Sequence, residues 1–315
     1  MVAAQIALDS GIMCAPTIAA ANSLVELLNS QYPASGKSFT DVACWADDIR
    51  AKEGYGDWHF IDLPVCRLAS GACPEPPLDD NAVWAITASE ETLRNSSAAL
   101  QKARMLRFLI HLVGDVHQPL YAAEYFSSQF PSGDLGGNKW PIVVPPPFPY
   151  ASTNLHSYWD EGLGRWTQQL QRPLNATGRA WVAALSKEIR GRFPAPSLQP
   201  QWKDGNVSSW ALESHALAES FAYTAPQAPA QISKAYTAQG QDIVLKQLAL
   251  AVPARGYAVR ENPAPPPPAP PLLGNTAPSL APPNRPQRVF AWPQRAGGSL
   301  PPRAAKKITW LFPRK

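Results

Sequence analysis

Apolar residues recur at helical spacing through much of the first 250 positions of the chain. The strongest stretch is 98–117 (AALQKARMLRFLIHLVGDVH), where Leu106, Leu109, Ile110 and Val113 repeat at i, i+3, i+4, i+7 and predict a buried helical stripe. A second helix is predicted over 17–32, stopping before Pro33, and others over about 179–191, 208–222 and 229–250. Between them, 123–153 is rich in Gly, Pro, Ser and Asn and reads as a long ordered loop, with a short strand near Trp140 to Val144 as its one extended stretch. No alternation of strands with crossover helices is visible, nor any internal repeat, so the pattern is that of a mostly helical protein.

Proline changes this picture at one end. The chain has 35 prolines in 315 residues, about twice the usual share, and 15 of them fall in the last 53 residues. That tail, Pro263 to Lys315, also holds eight of the 28 Lys and Arg and none of the 24 Asp and Glu. The remaining 1–262 segment therefore has 20 basic against 24 acidic residues, a formal −4, and the overall +4 describes the tail alone. A broadly basic nucleic-acid surface on the folded part is excluded, so any phosphate there must be met by a few placed charges or by metal. Two segments are expected: a folded domain over 1–262 and a disordered tail. The run from Pro265 to Pro271 favours polyproline II and cannot pack into a core, leaving a ligand for aromatic-lined grooves or a basic tether as its functional readings.

No window of 18 apolar residues occurs, so no membrane helix is expected. The apolar N-terminus has no basic residue before Lys37, which favours the first half of a core helix over a signal peptide. Sequons at Asn95, Asn175 and Asn206 are compatible with a secreted glycoprotein. Of four cysteines, Cys66 and Cys73 are the better local pair, Cys14 and Cys44 leaving the pairing open, and the lack of any C-x2-C disfavours a zinc-thiolate site.

Candidate chemistry enters with the histidines. Two of the five lie in the same pattern, His111-x3-Asp115 and His156-x3-Asp160, which on a helix puts both donors on one face. Either pair alone could be a core histidine bonded to an acid one turn on. Pro119, however, must break the first helix just where Asp115 sits. Further groups, Cys44-Trp45-Ala46-Asp47-Asp48-Ile49-Arg50 and Trp58-His59-Phe60-Ile61-Asp62, add acids, an Arg and a His. Imidazole and carboxylate without thiolate suit zinc or a harder divalent ion and phosphoester chemistry.

CWADDIR (44–50), WHFID (58–62), FLIHLVGDVHQPL (108–120), GGN (136–138), NLHSYWD (154–160) and, more loosely, WALESHALA (210–218) together resemble the zinc-dependent, single-strand-specific type I nucleases of fungi and plants and the related protist nuclease/3′-nucleotidases. The resemblance spans most of 1–262. It implies an all-α domain of the zinc phospholipase C and type I nuclease fold, acting as a monomer, with three Zn2+ per chain. Asp47, His59, His111 and Asp115 match ligands of the first zinc, Asp115 bridging to its close neighbour, and His156 and Asp160 match two ligands of the more distant one. Arg50 and Asn138 match the catalytic residues that hold the phosphate, Phe60 and Asp62 those that stack on and hydrogen-bond the base. Implied substrates are single-stranded RNA or DNA, cut to 5′-nucleotides, and 3′-nucleotides, with no membrane segment and secretion as the habitat.

Two departures stand out. Members begin with a Trp, then a G-H, that supply further zinc ligands; the chain starts at Met1 without either, which suggests a sequence truncated at its start. The family motif ends Q-P-L-H, a ligand of the third zinc, where this chain has Tyr121. The alternative is therefore an inactive paralogue keeping the fold and at most part of the zinc cluster. A phosphomonoesterase or phospholipase on the same fold is a further one, disfavoured by Phe60 and Asp62. His117 and His215 are expected to be structural.

Overall fold

The central helix of the molecule is α5, Ala99–Val116, rich in the Leu, Met, Arg and Lys that helices favour. The computed structural model describes residues 1–144, 146, 153–166, 170–198 and 205–252, so the 263–315 tail and its boundary lie outside the described residues. Leu106, Leu109, Ile110 and Val113 are buried as the spacing predicts, and burial extends round the helix to Arg107, His111 and Asp115. A helix hydrophobic on one stripe but covered all round lies between layers. Here α2 (Ala15–Glu26), α3 (Trp45–Glu53) and α4 (Ala82–Asn95) pack against it.

Helix α4 escapes the apolar pattern because its buried face, Ala82, Ala85, Ile86, Ser89, Glu90 and Leu93, includes two polar residues. Both are accommodated locally: the Ser89 hydroxyl donates to the Ala85 carbonyl at 2.7 Å and Glu90 pairs with Arg94 one turn on. The N-terminal residues form helix α1, Val2–Asp9, with Ile6 and Ala7 buried, as the core-helix reading expects. It lies on α7 (Ala176–Arg192), where Ser186 donates to Asp9 at 2.7 Å. Helix α2 is shorter than expected, since Leu28 and the residues after it turn with i to i+3 bonding before Pro33. Arg107, wholly buried, donates from α5 to the Val25 carbonyl at 2.7 Å and so ties α2 in place.

Further helices are the short α6 (Leu155–Asp160), α8 (Val207–Ser220) and α9 (Lys234–Leu250). Helix α9 starts at Lys234 rather than 229 because Ser233 caps it, accepting from the Tyr236 N–H at 3.0 Å. Asn175 and Asn206, two of the three sequon residues, likewise cap α7 and α8 through their side-chain oxygens. The fold is all-α, and among the described residues its one sheet is the parallel pairing of β1 (Pro64–Cys66) with β2 (Glu124–Phe126). At 140–144 there are only two isolated bridges, Pro141 to Asn154 and Val143 to Gln231. Cys66 and Cys73 form a disulfide, and Cys14 and Cys44 take no part in it. No helix among the described residues is long and apolar enough to cross a membrane.

Candidate metal centre

Three segments meet at one buried point. Helix α3 brings Asp47, anchored by Trp45, which is fully buried edge-on to Tyr32 and Phe108. A short 3-10 turn, Gly56–His59, brings His59, and α5 brings His111 and Asp115 from one face. One donor atom each from Asp47, His59 and His111 lies within 4.8 Å of the other two. The Asp115 carboxylate closes the group, with Oδ2 at 2.9 Å from His59 Nδ1 and 3.0 Å from His111 Nε2. Asp47 Oδ1 stands 3.9 and 3.7 Å from the same two nitrogens, beyond hydrogen-bond reach and with no hydrogen-bond partner among the described residues.

The second atoms of the imidazoles decide what faces the centre. His111 donates from Nδ1 to the Ala43 carbonyl at 2.6 Å, which turns the lone pair of Nε2 inward. Burial alone would lower the His111 pKa, but Asp115 and Asp47 outweigh it and hold the imidazole well above its ordinary range. Burial would raise Asp115, yet His111 and His59 keep it below the usual carboxylate range. Burial lowers His59. Asp115 and Asp47 thus give this point a field that favours a cation.

These residues fit a divalent ion. Tetrahedral zinc with bonds of about 2.0 to 2.1 Å sets its donors roughly 3.3 Å apart, and here the two imidazoles stand 3.1 Å from each other and 2.9 to 3.9 Å from the two carboxylates. Two imidazoles with two carboxylates is a donor set for a borderline metal. Beside the cluster a cleft is lined by Ala43, Cys44, His111, Gly114 and Asp115, among other residues.

The second pair lies on α6, with His156 Nε2 3.5 Å from Asp160 Oδ2. His156 donates from Nδ1 to the Gly136 carbonyl at 2.6 Å, and Gln118 donates to Asp160 Oδ1 at 3.0 Å. The loop that offers Gly136 runs through three consecutive positive φ angles, Leu135 (57°), Gly136 (56°) and Gly137 (85°). Two buried acids hold it there: Asp134 accepts from the Gly137 N–H at 2.8 Å and Glu124 from the Leu135 N–H at 2.8 Å. Tyr121 packs beside this second pair, its ring 4.7 Å from that of His156.

The other expected residues are nearby, with their surroundings as follows. Arg50, one turn after Asp47, is half-buried, and its charge reaches the Tyr121 hydroxyl. Asn138 is half-buried and donates from its side-chain amide to the Leu135 carbonyl at 2.8 Å. Phe60 and Asp62 follow His59 in an extended segment, both half-buried. His117 and His215 behave as structural residues: His117 donates to the Val113 carbonyl at 2.8 Å, with burial pulling its pKa down to about 4, and His215 bonds the Pro64 carbonyl. Sequence reasoning missed the supports, Ala43, Gln118, Glu124 and Asp134. For Asp134 a signal existed, an Asp three residues before a Gly whose N–H it can accept, whereas carbonyl supports carry none.

An all-helical domain that gathers imidazole and carboxylate donors from several segments at one buried point defines a candidate metal-dependent hydrolase. The chain belongs to the S1/P1 nuclease family, whose profile matches residues 4–254. It is 27% identical over 209 residues to Nuclease P1 of Penicillium citrinum, the match covering 58% of this chain and 68% of that protein. It is also 27% identical over 224 residues to Endonuclease 3 of Arabidopsis thaliana, covering 66% and 71% respectively. Nuclease S1 of Aspergillus oryzae matches a shorter stretch of 129 residues at 27% identity, 39% of this chain and 41% of that protein.

Proposed function

We propose that the chain is a zinc-dependent phosphodiesterase that cuts single-stranded RNA and DNA to 5′-nucleotides and removes phosphate from 3′-nucleotides. The observation that carries this is the convergence of Asp47, His59, His111 and Asp115, each from a motif that resembles the family's, on one buried point. Zinc bound there would lower the pKa of water enough to make hydroxide available near neutral pH. Asp115 presents one carboxylate to both histidines, and the Ala43 carbonyl keeps His111 in the tautomer that can ligate.

Arg50 offers a fixed cation to the equatorial oxygens of the phosphate, where charge builds in the transition state. Asn138 adds a neutral donor beside it. Phe60 supplies a flat apolar face for a base and Asp62 an acceptor for its amino or imino hydrogens. A stacked base has to be unpaired first, which accounts for single-strand preference. The Cys66–Cys73 disulfide supports a secretory habitat, where such bonds persist. The test is release of acid-soluble nucleotides from single-stranded DNA by the purified chain. It should be abolished by chelator and by Asp115→Ala; no release from a zinc-loaded wild type would favour the inactive paralogue.

A further inference from the structure

His156 and Asp160 supply two donors, too few for a stable protein site on their own. The hydrogen bond from His156 Nδ1 to Gly136 turns Nε2 toward Asp160, and Gln118 occupies one oxygen of Asp160, leaving Oδ2 as the atom that faces the imidazole. Tyr121 lies against this pair. It is fully buried, its ring packs on His156, and its hydroxyl has no hydrogen-bond partner among the described residues. Buried hydroxyls are nearly always bonded, so this one calls for an explanation. Its position is not imposed by the hydroxyl itself: the backbone fixes it, Tyr121 N–H donating to Gln118 and its carbonyl accepting from Ile61 at 2.8 Å. Burial first, and then the charges of Asp160, Asp115 and Asp47 against that of Arg50, hold the phenol well above its ordinary pKa, so in the absence of a cation it is a neutral hydroxyl within the field of those carboxylates.

We propose that the Tyr121 phenolic oxygen is the third protein ligand of a divalent metal ion held by His156 and Asp160. The phenolic proton leaves to solvent as the ion binds, in the way ligands generally lose protons to metal. One imidazole with a carboxylate and a phenolate makes a harder donor set than the two imidazoles and two carboxylates of the first cluster, so the two sites differ in metal preference. This rests on the metal-centre reading above, but it concerns ligation and is read without any turnover.

The experiment is zinc content per chain for wild type, Tyr121→Phe and Tyr121→His, together with the visible spectrum after loading with ferric ion. Tyr121→Phe removes only an oxygen without a hydrogen-bond partner among the described residues, and circular dichroism checks its fold. The expected result is one zinc fewer in Tyr121→Phe, wild-type content in Tyr121→His, and a phenolate-to-iron absorption band in wild type that Tyr121→Phe lacks. Equal zinc in wild type and Tyr121→Phe overturns the proposal, as does an extra zinc in Tyr121→His or a ferric wild type without the band. The band needs no variant to fold. If wild type shows it yet releases no nucleotide, the nuclease reading fails and the ligand assignment stands; if nucleotide is released and zinc content is unchanged in Tyr121→Phe, the ligand assignment fails and the nuclease reading stands.

Discussion

Helices α5 and α6 carry the same His-x3-Asp pattern and hold it in opposite ways. Helix α5 is 18 residues long and buried on nearly every side, so packing along its length fixes His111 and Asp115 before any ligand arrives. Helix α6 has six residues, too few to be stable by itself. Its register comes from outside: Asn154 caps it, accepting from the Ser157 N–H at 2.9 Å, the Gly136 carbonyl holds His156, and Gln118 holds Asp160. A motif on a long helix takes its position from the helix and needs one outside carbonyl, that of Ala43, to orient its imidazole. The same motif on a single turn needs every neighbour to be right.

The largest effect expected is that of Asp115→Ala. It removes the carboxylate shared by both histidines of the first cluster, and since loss of an outer partner alone costs 10 to 100-fold, loss of this ligand should lower single-strand cleavage by more than about 100-fold. Nucleotide release and zinc content measure it; unchanged zinc would show that α5 is not the metal-bearing helix of the pair. Next comes Gly137→Ala. Its φ is +85°, and a Cβ there would meet the His156 backbone nitrogen at 3.2 Å and Leu120 at 3.1 Å. A stability loss of about 1 to 3 kcal/mol in thermal unfolding is expected, with zinc lost from the α6 site and kept at the first.

Gln118→Ala should weaken metal binding at α6 by about 10-fold in a competition titration and leave the first cluster unaffected. An equal loss at both sites would blur the contrast. The smallest effect belongs to Glu90, on the buried face of α4. Burial raises its folded pKa above the ordinary value of 4.5, against the pull of Arg94. The native state therefore holds the proton more tightly than the unfolded chain. That contribution is complete below about pH 4.5 and is lost as pH rises through the folded pKa. Glu90→Gln should remove this dependence, a difference under about 1 kcal/mol between acid and neutral pH in denaturant unfolding, with both metal sites unchanged.

What could be read in advance follows the same division. The stripe of α5 and the two His-x3-Asp spacings were legible because each depends on residues a few positions apart. The Cys66–Cys73 bond was legible for the same reason. Helix α4 was hidden by Ser89 and Glu90, whose burial is tolerated only through local bonds that composition does not reveal. The parallel pairing of Pro64–Cys66 with Glu124–Phe126 joins three-residue strands nearly 60 positions apart, too short to show a period. His59 was recognisable as a candidate only through its motif, since its meeting with His111 and Asp115 depends on how a 3-10 turn packs against α5. The role of Gly136 lies in a carbonyl, which every residue has.

The loop at 134–138 has one more consequence. Glycine-rich loops that cradle phosphate do so by turning their N–H groups toward the anion. Here the N–H groups of Leu135 and Gly137 are bound to Glu124 and Asp134, and the oxygens of Leu135 and Gly136 point instead to Asn138 and His156. The loop is wired with its polarity reversed, acids behind and oxygens in front, so it steadies His156, the imidazole proposed to hold a cation, and its own N–H groups are not turned to an anion.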